Sequence, residues 1–245
     1  MKKSASSRQN TAVPRPSARG RPQKRAEQRR AVDTRRSILN AALVEFAEKG
    51  FAAASIRAIA DRTGLQHPLI TYHFRSKDIL WRATAEYAFG QILEEWDGLD
   101  ASNAGMSPLD RLRAEYRTVF KYTVAFPELR FMRQECKPNN PRLKWVAKTV
   151  LMPLINHLLP QIAALQKAGQ LPNMEPIVFH YMMIGLTATL SEFGPEMGVT
   201  SKLAADDPRV VKSYWRTVEK MVFHKYSSDS DIDALTFRLP SPNRR

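Results

Sequence analysis

Gln66, His67 and Thr71 stand within six residues of one another, and their side chains suit the edges of nucleobases. A Gln amide offers a donor and an acceptor together and can pair bidentately with adenine, while a Thr methyl can meet the methyl of thymine. Pro68 between them adds an apolar surface. Other chemistries find little support. His67 and His73 have no Cys or carboxylate at ligand spacing, so no metal is expected. The sequence has no Gly-rich phosphate loop, no His-Glu-x-x-His, no paired cysteines and no nucleophile elbow. No catalytic residue and no cofactor are therefore expected. A helical enzyme with a dispersed catalytic trio is the alternative.

Side chains that read bases need a short helix held out from a scaffold, and the preceding residues supply one. Asp33 or Thr34 can cap a helix over 34–49, with Ile38, Ala42 and Phe46 on one face and Gly50 as the C′ glycine. Ser55 can cap a second, short helix whose Ile56, Ile59 and Ala60 face inward and which Gly64 ends. The turn Gly64-Leu65-Gln66 leads to a third helix from His67 to about Tyr72, anchored by Leu65, Ile70 and Phe74. Two short helices around such a turn predict a helix-turn-helix, whose second helix enters the major groove.

Charge points the same way. The chain carries +14 over 245 residues, and residues 1–36 hold twelve Lys or Arg against two carboxylates. Such a basic arm, predicted over 1–33, cannot bury enough apolar surface to fold alone. Its natural partner is a polyanion, nucleic acid before an acidic membrane surface. Within it, Arg19-Gly20-Arg21-Pro22 has the form of a clasp for a narrow minor groove, with phosphate contact as the simpler use of Arg19 and Arg21. The single cysteine, Cys136, excludes an intrachain disulfide. With no signal-like start and no membrane-length apolar run, a cytoplasmic protein without a membrane partner is expected.

Ile38-Leu39-Asn40-Ala41-Ala42, Phe46, Lys49-Gly50-Phe51, Ser55-Ile56-Arg57-Ala58-Ile59-Ala60, Gly64-Leu65 and Tyr72-His73-Phe74-Arg75-Ser76-Lys77 follow one another in order without a gap over roughly residues 37–81. Together they resemble the signature of the TetR family of regulators. It implies an all-α homodimer, with a three-helix DNA-binding domain over 34–77 and a helical effector-binding and dimerisation domain over 78–226. It also implies phosphate contacts from Tyr72, His73 and Lys77, and Ser55 with the helix N-terminus behind it would hold a further phosphate. Gln66 stands where the family usually has Ser or Thr, and Pro68 where a small residue is common, so no relative's operator carries over. Relatives mostly repress until a small molecule releases them. That is the expectation here, with an architectural DNA-binding protein as the alternative.

Beyond Ser76, X-Pro steps and caps divide the chain into further helices: from Ser76 to near Gly98, from Ser107-Pro108, from Pro127, and from Asn140-Pro141 with a kink or split at Pro153 and Pro160. An apolar helix is predicted over 176–193, a loop over 194–206, and a last helix after Asp207-Pro208. By resemblance, the last two long helices pair with those of a second subunit. An apolar effector pocket is expected among the middle helices, with Tyr116, Phe120, Phe131, Met132, Glu135, Trp145, Met152, Phe179, Met183 and Leu186 as candidates. Residues 227–245 read as a flexible tail.

Overall fold

The computed structural model describes residues 20–102, 105–135 and 137–223, and among them every regular element is helical. Cys136, the tail at 227–245 and Arg19 lie outside the described residues. The chain divides into two compact units, residues 1–37 and 38–245.

In the first unit, helix α1 (Gly20–Ala53) opens at Gly20. Residues 20–33 were expected to lack structure, with the helix starting at Asp33 or Thr34; they are helical instead. Pro22 fits the first turn, and residues 23–31 are almost all Ala or straight-chain side chains of high helix propensity. A search for apolar periodicity misses such a helix because it shows no buried face over residues 25–33, which are exposed. Arg21 lies in its first turn.

The second unit begins at Ile38. Ile38, Ala42 and Phe46 are fully buried on the predicted face. Gly50, at φ 70° and ψ 168°, breaks the helix where it was expected to stop, and one further turn carries it to Ala53. α2 (Ile56–Thr63) and α3 (His67–His73) follow, then α4 (Lys77–Ser102), which runs past Gly98. α5 (Pro108–Ala125) is capped by Ser107, whose Oγ accepts the Asp110 N–H at 3.1 Å. A 3-10 turn (Pro127–Arg130) leads into the single turn α6 (Phe131–Gln134).

α7 (Pro141–Val146) passes through a π-helical turn (Ala147–Leu151) into α8 (Met152–Lys167). The Met152 N–H reaches back five residues to the Ala147 carbonyl, and Pro153 offers no donor, so the predicted break appears as a slip in hydrogen-bond register. Pro160 lies inside α8.

α9 (Pro176–Ser201) corrects the expected loop at 194–206. Pro195 cannot bond the Ser191 carbonyl, but the Arg130 Nη1 donates to that oxygen at 3.4 Å and so gives it a partner as the helix continues. Gly194 sits close to the following segment: a Cβ there would stand 3.0 Å from the Ala205 Cβ, so a larger residue would press on it. α10 (Pro208–Phe223) closes the described chain.

Two apolar clusters form. One joins α1–α3 to the first half of α4, α6 and α7 through Phe46, Ile59, Ile70, Trp81 and Phe131. The other joins the second half of α4 to α5, α8, α9 and α10 through Trp96, Phe120, Leu158, Phe179 and Trp215. α4 contributes to both.

Candidate nucleic-acid interface

α2 is fixed from both ends. Ser55 caps it, its Oγ accepting the Ala58 N–H at 3.0 Å. Its own N–H donates to Glu45 on α1 at 3.4 Å. Near the other end, Arg62 pairs with Glu45 at 3.2 Å and also with Glu48. Gly64, at φ 67°, turns the chain; no heavy atom crowds the place of its missing Cβ, so the need for glycine is conformational. Thr63 Oγ1 accepts the Leu65 N–H at 3.3 Å and steadies the turn.

α3 then lies with one side sealed and the other open. Ile70 is fully buried beside Ile59 and Ala60, and Phe74 closes the end. Gln66, His67, Pro68 and Thr71 are exposed, and Tyr72 is 81% exposed. Positions 67, 68, 71 and 72 repeat at three- and four-residue spacing and share a face. Gln66 occupies the N-cap but its side chain does not cap the helix, so the whole amide is available. The Thr71 hydroxyl donates to the His67 carbonyl at 3.2 Å.

Three further expected contacts have local partners as well. Ser55 Oγ serves as the helix cap. His73 is half-buried, its ring centroid 5.5 Å from that of Tyr72 and 6.3 Å from that of Phe74. Lys77 departs most from expectation. Its Nζ donates to the Ala52 carbonyl at 3.1 Å and the Ala54 carbonyl at 2.9 Å, and sits 4.8 Å from the Phe51 ring centre. It therefore closes the end of α1, with one N–H left over.

Arg57 was not among the expected contacts. It is exposed, has no hydrogen-bond or ion-pair partner among the described residues, and lines a depression of about 550 Å³ with Asp61, Leu65, Gln66, His67 and Pro68. Its signal in the sequence is its place two residues after the cap Ser55, where a cation has no electrostatic reason to sit on a helix by itself. Arg75, just after α3, is exposed too.

The ten effector candidates fall into separate places. Phe131, Met132 and Trp145 belong to the first cluster, where Phe131 meets Phe46 and Trp81 and Trp145 meets Trp81. Tyr116, Phe120, Phe179, Met183 and Leu186 belong to the second. Met152 is exposed. Burial raises the Glu135 carboxyl, but hydrogen bonds from Arg142 at 3.0 Å and Asn140 at 2.8 Å outweigh it and hold the group below its ordinary value. The sequence could not resolve two clusters, because helical periodicity gives the buried face of each helix without its neighbour.

The second cluster contains a polar pair. Tyr116 Oη and His180 Nδ1 lie 3.1 Å apart, joining α5 to α9. Burial lowers His180 to about 4, so the ring is neutral near pH 7. Burial, helped by the charge of Glu115, pushes the Tyr116 phenol up.

Among the described residues no cluster of three or more His, Cys, Asp or Glu could hold a metal ion, and no helix is long and apolar enough to cross a membrane. Residues 38–84 match the model of the bacterial regulatory proteins of the TetR family. The HTH-type transcriptional regulator RutR of Escherichia coli is 28% identical over 182 residues, covering 73% of this chain and 84% of RutR. A TetR/AcrR-family transcriptional regulator from Thermobifida fusca shares the fold at a TM-score of 0.53 and 23% identity, over 80% of this chain and all of that one. The fatty acid degradation regulator FadR of Bacillus halodurans does so at 0.55 and 17%, over 75% of this chain and 93% of FadR.

Proposed function

As this chain belongs to the TetR family of bacterial regulatory proteins, we propose that it is a homodimeric repressor that binds a palindromic operator through α3 and leaves it when a small apolar molecule binds the C-terminal helices. The observation that carries this reading is the exposed face of α3, where Gln66, His67, Pro68, Thr71 and Tyr72 surround a helix anchored by a fully buried Ile70. Gln66, His67 and Thr71 would read base edges, with Pro68 as an apolar contact. Ser55, Tyr72 and His73 would hold phosphates, joined by Arg57 and the free N–H of Lys77. The arm, with Arg19 and Arg21, adds charge that neutralises the backbone without reading sequence.

Pairing through α9 and α10 is supported by the apolar surface those helices leave uncovered. Val178, Tyr181 and Phe193 of α9 are 53–55% exposed, Val199 85%, and Met221 of α10 72%. Apolar area of this kind on a helix pair is a usual ground for association. A twofold pair would set two copies of α3 about 34–36 Å apart for adjacent major grooves. For the effector, the second cluster, with its aromatic walls and the Tyr116–His180 pair, offers an apolar environment and few polar anchors.

The test is a titration of labelled duplex from the chain's own upstream region against an unrelated duplex at low salt, then a screen of small molecules for release. Preference for the upstream duplex together with release by a small molecule supports the reading. Equal binding of both duplexes overturns sequence recognition, and specific binding that no small molecule alters favours the architectural alternative.

A further inference from the structure

Arg142 lies on α7, outside the DNA-reading helices, yet its side chain ties together the two ends of the segment that contains them. The guanidinium carbon is 3.5 Å from the Phe51 ring centre and 5.9 Å from that of Trp81. Its Nε donates to Glu135 Oε2 at 3.0 Å, and its Nη1 stands 3.5 Å from Asp78 Oδ1. Phe51 lies just before α2 and Asp78 in the first turn of α4. The chain therefore enters the α2–α3 pair and leaves it through residues held by one side chain.

The grip is set up in advance. Asn140 caps α7, its Oδ1 accepting the Arg142 N–H at 2.9 Å, and its Nδ2 donates to the same Glu135 oxygen at 2.8 Å. A second tie runs alongside, from Gln134 Nε2 to the Ala47 carbonyl at 3.0 Å. One turn along α7, Trp145 packs 6.0 Å from Trp81, and the Arg82 guanidinium lies 5.2 Å from its ring. A planar guanidinium can lie flat on Phe51 while its edge meets two carboxylates, which a lysine ammonium cannot reproduce. α7 continues directly into the π-helical turn, so the latch sits at the end of the helix whose register slips.

We propose that Arg142 is a positioning residue for DNA reading: by latching α7 to the end of α1 and the start of α4, it fixes the direction in which α3 is presented. The proposal rests on the DNA-reading function inferred above. In a dimer, two readers must fit two half-sites together. A loose latch leaves each reader able to bind but makes the pair lose orientational freedom on binding, a cost that preorganisation removes.

The experiment compares full-length wild type, R142M, R142K and E135Q on duplexes selected from a random pool, one carrying both half-sites and one carrying a single half-site. R142M is expected to lose about tenfold in affinity for the two-site duplex, equivalent to ~1.4 kcal/mol, with unchanged affinity for the single half-site. R142K should recover only part of the loss. E135Q, which keeps the size of the side chain it replaces, should lose about threefold in the same pattern and covers a failure of R142M to fold. Equal losses on both duplexes, or no loss on either, overturn the latch. A wild type that prefers neither duplex to unrelated DNA overturns the DNA-reading function itself and this proposal with it.

Discussion

Lowering the pH should destabilise this protein through His180 before its carboxylates begin to titrate. The ring is buried on α9 against Tyr116, and burial takes it from the usual 6.5 down to about 4. In the unfolded chain the same imidazole recovers its ordinary affinity for a proton. Between pH 6.5 and about 4 the unfolded state thus binds more protons, and stability falls as pH falls through that window. From pH 8 to pH 5 the linkage amounts to about 2 kcal/mol. For a chain of this size that is a drop of roughly 4–8 °C in Tm. The control is His180→Gln, which keeps a polar partner for the Tyr116 hydroxyl and cannot titrate. Thermal unfolding of both proteins at pH 8 and pH 5 measures the difference. Wild type should lose several degrees more than H180Q; equal losses would refute the assignment of a buried neutral histidine.

Ile70→Ala empties the fully buried anchor of α3 and should cost about 2–4 kcal/mol, read as a lower Tm together with lost operator binding. Tyr72→Ala, at an exposed site, should shift stability by less than about 0.5 kcal/mol. The same change should weaken operator binding several-fold in an anisotropy titration. Gly64→Ala forces a β-carbon into left-handed backbone and should destabilise by about 1 kcal/mol, measured by urea unfolding. Deleting residues 1–32 should flatten the plot of log affinity against log salt by about 0.9 for each phosphate that the arm no longer neutralises, with sequence preference kept.

The three-helix segment over 38–74 was legible because its signals are local. Ser55 caps, Gly64 turns at positive φ, and Ile56, Ile59, Ala60 and Ile70 mark the buried side within a few residues of one another. The sequence failed where a distant group decides the outcome. Pro195 marks a loop until Arg130, more than sixty residues away, bonds the carbonyl that proline leaves unpaired. Lys77 looks like a free cation on the DNA side until the end of α1 folds back within its reach. The opening of α1 was missed for another reason, since residues 20–33 are rich in good helix formers but carry no apolar pattern to detect. Arg142 drew no attention as one arginine in a basic chain, because what sets it apart is where Phe51 and Asp78 come to lie.

Whether α3 reads DNA in twofold pairs is tested most directly by letting the full-length protein select duplexes from a random pool and sequencing what it retains. The account predicts inverted repeats whose half-sites lie about 10 base pairs apart, centre to centre, and enrichment that shifts at defined positions when Gln66 or Thr71 is changed to Ala. A retained pool with no symmetry, or one unaltered by either substitution, would contradict it.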